Sequence, residues 1–198
     1  LSEASNTPVM LELRIRACHV HGAFQASDNR AGRYNRNQTI PEPDHDFARI
    51  TLPPSTYEQE KHKIEVRLPE AIKFIKANQL NDHFDGDIDD VGIICQGGLY
   101  NATLRALVQA GLAGAPGDSR IPILALNVTY PWVADEISGF CAGKSAILMV
   151  EEGQPDYLEE AINVILRKAD LQTKVIGKGA LPMRSEEHTS ELQSHLNL

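Results

Sequence analysis

Residues 8–21 alternate along the chain, with Val9, Leu11, Leu13 and Ile15 on one side of an extended backbone and Met10, Glu12, Arg14 and Arg16 on the other. A period of two is that of a β-strand, so a strand is expected here, closed by Cys18-His19-Val20-His21-Gly22. From Ser27 to Pro54 the sequence turns polar and rich in Asn and Pro, with no sustained period, which is the composition of a linker or extended arm. A helix is expected from Ser55, where Ser55 and Glu58 have the spacing of a capping box. In that motif hydroxyl and carboxylate each satisfy an amide that the first turn leaves without a partner. Tyr57, Ile64 and Leu68 continue one face, followed by Ile72 and Ile75 beyond Pro69. A proline inside a helix removes a hydrogen bond and clashes with the turn before it, so a kink or restart is expected there.

From Ile88 onward strands and helices alternate. The apolar runs at 90–95, 121–127, 146–150 and 173–177 read as strands, and the segments at about 99–111, 133–143 and 156–169 read as helices. The first helix carries Asn101, Arg105 and Gln109 at a spacing of four, opposed by Leu and Ala; the third carries Leu158, Ala161, Ile162, Ile165 and Ala169 on one face. Such alternation predicts an α/β fold with a mainly parallel sheet and helices on both faces. No internal repeat is present.

The turn between the first of these strands and its helix is Gly97-Gly98. A dinucleotide fingerprint needs G-x-G-x-x-G so that backbone can approach a pyrophosphate at a helix N-terminus. Here the glycines are adjacent, Leu99-Tyr100-Asn101-Ala102 follows without a third, and Tyr100 would crowd a phosphate. A P-loop would end in Gly-Lys-Ser/Thr. Gly143-Lys144-Ser145 has those letters but follows a helix, where glycine is a C-cap. The Gly97-Gly98 turn is therefore read as structural, with Gly98 at positive φ or packed tightly against a neighbouring strand.

Composition narrows the classes further. The 198 residues include 19 Lys and Arg against 27 Asp and Glu, a formal net charge of -8. That balance argues against a nucleic-acid or membrane-surface binder, both of which want a basic patch. No stretch reaches the apolar length of a membrane span. Cys18, Cys95 and Cys141 stand alone, with neither disulfide-framework nor metal-binding spacing, and read as small buried hydrophobes in a reducing cytoplasm. The chain opens on Leu1 shortly before a strand and so is expected to begin inside a larger protein. "RSEEHTSELQSH" (184–195) reads as the in-frame translation of a sequencing-library adapter, and 184–198 are set aside as a non-native tail.

Several segments, in order, carry a resemblance: "TPVMLELRIRACHVHG", "ITLPPSTYEQEK", "VGIICQGGLYNATLRAL", "ILALNVTYPW", "AILMVEEGQPDYLEEAI" and "VIGKGALP". Together they resemble the alpha subunit family of the indolepyruvate ferredoxin oxidoreductases, thiamine-diphosphate-dependent 2-oxoacid oxidoreductases. The resemblance implies the end of a pyrimidine-binding thiamine domain at 1–26, a linker with a helix from about 55 at 27–87, and a transketolase C-terminal-like domain at 88–183. It implies oxidative decarboxylation of an arylpyruvate to aryl-acetyl-CoA. Thiamine diphosphate, Mg2+ and 4Fe-4S clusters would serve the parent enzyme, with none bound by this fragment alone. Ferredoxin, coenzyme A and a beta subunit or fused domain are the implied partners, in an oligomer. The activating glutamate is expected upstream, so the fragment alone is expected to be inactive.

Arg14, Arg16, His19 and His21 form the densest polar group on an otherwise apolar strand. The matching family segment reads Arg-x-Ser-His, and Cys18 stands here in place of the Ser. By the resemblance these four would edge the active site and meet a substrate carboxylate; structurally, they would tie the strand end to the linker. Glu151 and Glu152 precede a helix that opens at Pro155, where carboxylates favour the helix N-terminus; with Tyr130 they are candidates for a domain interface. Tyr130-Pro131-Trp132 reads as a shaped turn with Trp132 as packing. Two rivals remain: a transketolase or pyruvate dehydrogenase E1 beta-type enzyme using lipoamide, and a flavodoxin-like binding module with a ligand at the carboxyl edge of its sheet.

Overall fold

The computed structural model describes residues 1–13, 23, 50–114, 118–153 and 155–180. The chain divides into two compact units, Leu1–Glu70 and Ala71–Leu198. The first contains a short helix α1 (Ser2–Ser5) and helix α2 (Ser55–His62). Residues 8–13, the described part of the strand expected over 8–21, pair with nothing in a sheet, and Met10, Leu11 and Leu13 are exposed. A strand needs a neighbour to satisfy its amides, and none is present for it among the described residues. The rest of that strand, with Arg14, Arg16, Cys18, His19 and His21, lies outside the described residues.

The start of α2 departs from the expected capping box. Pro54 occupies the N-cap, Ser55 is already helical, and no side chain caps the end. The box needs its hydroxyl one residue earlier relative to the first turn. α2 buries no residue. At Lys63–Arg67 the helix widens into a π turn, in which the Leu68 amide bonds the Lys63 carbonyl, and α3 (Leu68–Ala77) follows. Pro69, second in α3, has no amide to give; one wide turn ahead of it lets the helix continue, which is how the expected kink or restart is resolved.

The second unit carries a five-stranded sheet in the order β1-β3-β2-β4-β5. Its strands are β1 (Asp82–Phe84), β2 (Val91–Gln96), β3 (Ile123–Leu126), β4 (Ala146–Val150) and β5 (Lys174–Ile176). β2, β3, β4 and β5 are parallel, in register Ile93 to Ile123, Ile93 to Leu148, and Leu148 to Ile176. β1, within the stretch read as linker, pairs antiparallel with β3 through His83 and Leu124. Helices α4 (Tyr100–Gln109), α5 (Ala134–Cys141) and α6 (Tyr157–Lys168) connect the parallel strands. Each lies within the segment that the apolar period predicted.

Alternate residues of the strands serve two cores. Ile94, Leu124, Leu126, Ile147 and Met149 pack with Ile137 and Cys141 of α5 and Leu158, Ile162, Ile165 and Leu166 of α6. Ile93, Cys95, Ile123 and Ala125 face the other way, toward Leu107 of α4, Phe84 and Tyr100. Fully burying one such side chain contributes about 1.5–3 kcal/mol, so these two layers hold the sheet between its helices. Ala142 is the C-cap of α5, and Gly143, expected to end the helix, follows it at φ +78, the left-handed position that glycine takes just past a helix.

Candidate functional site

The chain passes from β2 to β3 on one side and then returns across β2 to β4 on the other. In open α/β sheets the crevice outside the carboxyl ends of the strands, at such a reversal, is where ligands bind. Here that edge is built from Gln96 at the end of β2 and Gly97-Gly98 after it, Asn127 after β3, Glu151-Glu152 after β4, and Asn81-Asp82 at the start of antiparallel β1.

Each strand end is tied to another by the chain's own polar groups. The Gln96 side-chain oxygen accepts the Glu152 amide at 2.9 Å, bridging β2 and β4. A Cβ on Gly97 would lie 2.1 Å from Asn127 Oδ1, so the close approach that glycine permits is filled by Asn127. The Asn127 amide in turn donates to the Leu80 carbonyl at 3.0 Å and to Asp82 Oδ2 at 2.6 Å. Gly97 and Gly98 both lie outside the positive-φ region, which only Gly111, Gly143 and Gly153 occupy among the described glycines. The constraint on this turn is therefore contact at Gly97, where a strained backbone at Gly98 was one expected alternative. Tyr100, first in α4, stacks on Phe84 with ring centroids 4.4 Å apart, and burial followed by nearby Cys95 and Asp82 raises its phenol pKa.

Glu151 is nearly buried, its side chain 5% exposed, and it reaches along the chain to the start of α6. Its oxygens accept the amides of Leu158 at 3.0 Å and Glu159 at 3.4 Å. Lys178 lies 3.8 Å from Glu151 and 3.1 Å from Asp156, neutralising the carboxylate that caps the helix. Tyr130 is exposed and meets Trp132 edge-on at 5.9 Å, while Trp132 packs against the core under α5 and α6. The structure thus brings Glu151 and Glu152 to one edge, whereas Arg14, Arg16, His19 and His21 lie outside the described residues.

Sequence reasoning missed the polar groups beside β1. A groove of about 560 Å³ there is lined by Lys76, Gln79, Asn81, Asp82, His83, Asp135 and Glu136. Glu136 takes His83 Nε2 at 2.9 Å on one oxygen and the Asn81 amide at 2.7 Å on the other. Asn81 is buried, and its oxygen accepts the Val128 amide at 3.0 Å. Lys76 pairs with Asp135, and that pairing is the main reason the Asp135 carboxyl sits below its ordinary pKa. No local pattern announces these residues, because their partners lie 47 to 59 positions away.

The groups implied by the resemblance can be tested against these side chains. An iron–sulfur cluster needs thiolates that converge, yet Cys95 and Cys141 belong to different cores, and burial pushes each thiol up to about 11. Thiamine diphosphate with magnesium needs converging oxygens, and among the described residues no group of three or more His, Cys, Asp or Glu could hold a metal ion. These residues do not fit either group. Among the described residues no helix is long and apolar enough to cross a membrane.

Fold and edge together define an α/β domain of the transketolase C-terminal-like kind. No family model matches the chain. It is similar to the indolepyruvate oxidoreductase subunit IorA: the protein of that name from Methanothermobacter marburgensis is 28% identical over 191 residues, which is 92% of this chain and 28% of the relative. IorA of Methanothermobacter thermautotrophicus is 28% identical over 190 residues, with the same shares. The chain therefore spans little more than a quarter of the length of these curated relatives.

Proposed function

We propose that the chain is part of a 2-oxoacid oxidoreductase that decarboxylates arylpyruvates, indolepyruvate among them, to aryl-acetyl-CoA with ferredoxin as electron acceptor. The observation that carries the proposal is the collinear likeness to two IorA subunits across 92% of the chain. In this reading thiamine diphosphate, Mg2+ and 4Fe-4S clusters are held by other parts of the enzyme, and a beta subunit or fused domain completes it in the cytoplasm. Residues 1–26 end a pyrimidine-binding domain, 27–87 link, 88–183 form the α/β domain, and 184–198 are foreign. Arg14, Arg16, His19 and His21 then edge the active site, and Glu152 and Tyr130 face a neighbouring domain beside the capping Glu151. The satisfied polar groups of the carboxyl edge support a packing and docking role for the α/β unit.

The test is an assay of the full-length protein that carries this segment. With thiamine diphosphate and magnesium, arylpyruvate- and coenzyme-A-dependent reduction of a viologen dye is expected. The 198-residue chain alone is expected to give background only. Full-length turnover that needs lipoamide and ignores the viologen would transfer the reading to the E1 beta-type rival.

A further inference from the structure

A surface helix is held by an apolar stripe that faces inward while its charges face water. In the helix that runs from α2 through the π turn the two sides are reversed. Ser55, Gln59, Lys63 and Arg67, spaced by four, are half-buried, and Arg67 Nη2 reaches back along that side to the Gln59 carbonyl at 3.5 Å. Tyr57 and Ile64, seven residues apart and so on one side of the helix, are 70% and 63% exposed. Neither α2 nor the π turn buries a residue. Around these two apolar residues the charges are sorted along the axis, Glu58 and Glu60 first and Lys61 and Lys63 after them. Over residues 55–67 Glu58, Glu60 and Glu65 are matched by Lys61, Lys63 and Arg67, so with histidine uncharged this stretch is neutral on a chain that carries -8.

We propose that the exposed side of this helix is an interface between two copies of the chain, paired antiparallel about a twofold axis between Glu60 and Lys61. In that register Tyr57 lies opposite Ile64 of the second copy, Glu58 opposite Lys63, and Glu60 opposite Lys61, and each contact occurs twice. The order of the charges selects the orientation, because a parallel pair would set Glu against Glu and Lys against Lys. Unlike charges facing one another across a helical seam fix partner and direction. Lys63 already pairs with Glu60 of its own helix, so it stands between that carboxylate and Glu58 of the second copy, and the signs alternate across the seam. The -8 of each copy opposes approach from a distance, but charges farther apart than about 8 Å are largely screened at physiological salt. The eight residues of α2 and five of the π turn extend about 20 Å, and a strip of that length and about 10 Å width is small beside the roughly 800 Å² per partner that a stable dimer buries. The pair is therefore weak, formed at high concentration or where another contact already holds two copies together. It is independent of the proposed activity.

The experiment traps the pair in the 198-residue chain, with Cys18→Ser leaving only the buried Cys95 and Cys141 as native thiols. A Tyr57→Cys chain and an Ile64→Cys chain are mixed under mild oxidation, and the disulfide-linked peptides are identified by mass. The mixed 57–64 product is expected in about tenfold excess over the 57–57 and 64–64 products, one decade of preference. In antiparallel copies the two positions 57 lie about 10 Å apart along the axis, beyond the reach of a disulfide. Glu58→Lys with Glu60→Lys in both chains sets like charges opposite one another and should lower the mixed product about tenfold. Combining that Tyr57→Cys chain with an Ile64→Cys chain that carries Lys61→Glu and Lys63→Glu makes every opposed pair unlike again. The product should then return, which a variant that had only failed to fold would not allow. Symmetric products as abundant as the mixed one, a yield that ignores charge reversal, or no recovery in the complementary mixture each overturns the proposal.

Discussion

A Cβ built on Gly97 would lie 2.1 Å from Oδ1 of Asn127 and 3.2 Å from its Cα. The residue after β2 and the residue after β3 thus approach more closely than a side chain permits, while the Asn127 amide is held by Leu80 and Asp82. Gly97→Ala must push Asn127 off these partners or spread the strand ends. A loss of about 1–3 kcal/mol is expected, read as a lower urea midpoint at unchanged slope. Asn127→Ala removes the oxygen that the new methyl would strike, so the double variant should lose less than the sum of the single losses. Strict additivity would show that the two residues do not constrain one another.

The part of this arrangement that was legible in the sequence is the part that local period encodes. β3 is buried on both sides of the sheet and β4 on one, yet both read as unbroken apolar runs, "ILAL" and "AILMV", and the helices between them keep a clear apolar stripe. β1 is three residues, Asp82-His83-Phe84, stabilised by β3 some forty positions later, and a strand that short leaves no period to read. The Ser55 box had the right spacing but Pro54 took the cap. The carboxyl edge was legible only as a glycine turn and a pair of glutamates. Its other members, Gln96, Asn127 and Asn81, are polar residues whose meaning comes entirely from partners far along the chain.

Glu151 supplies the cap that Asp156 does not. Asp156 stands at the N-cap of α6 without a side-chain bond to the helix, and Glu151 instead receives the Leu158 and Glu159 amides. Glu151→Ala is expected to cost about 1–2 kcal/mol, the range for losing an N-cap acceptor. Glu151→Gln keeps one acceptor oxygen and should lose less. Thermal melts of the two variants decide the matter. A Glu151→Ala protein within about 0.5 kcal/mol of the parent would show that the contact is incidental.

Cys95 and Cys141 give a stability signature at high pH. Burial is the main reason both thiols are pushed up to about 11, against hydrogen bonding from Thr103 at Cys95 and the charge of Lys144 at Cys141. Unfolded thiols release their protons near the ordinary value of 9.0. Between these values the unfolded chain therefore holds fewer protons than the folded one. Stability is complete below pH 9 and falls as pH rises toward 11. Urea midpoints across that window should decline less steeply in Cys141→Ala than in the parent. At pH 8 both thiols should resist iodoacetamide until denaturant is added. Rapid alkylation of the native protein would contradict their burial.

The filled edge bears directly on whether the α/β unit binds a nucleotide. A phosphate at the start of α4 would need open backbone beside Gly97, and Asn127 occupies that approach. A ligand that binds only the folded state stabilises by about 2.7 kcal/mol at a hundredfold excess over Kd. For a domain of this size each kcal/mol moves Tm by about 2–4 °C, so binding would be plain in a thermal-shift screen. NAD, FMN, ATP and thiamine diphosphate with magnesium are each expected to leave Tm unchanged in the 198-residue chain. A rise of several degrees with one of them, lost in a Gly97→Val variant that still melts cooperatively, would reverse the reading. The carboxyl edge would then be a ligand site that opens by moving Asn127, and the binding-module rival would account for the chain better than the oxidoreductase segment does.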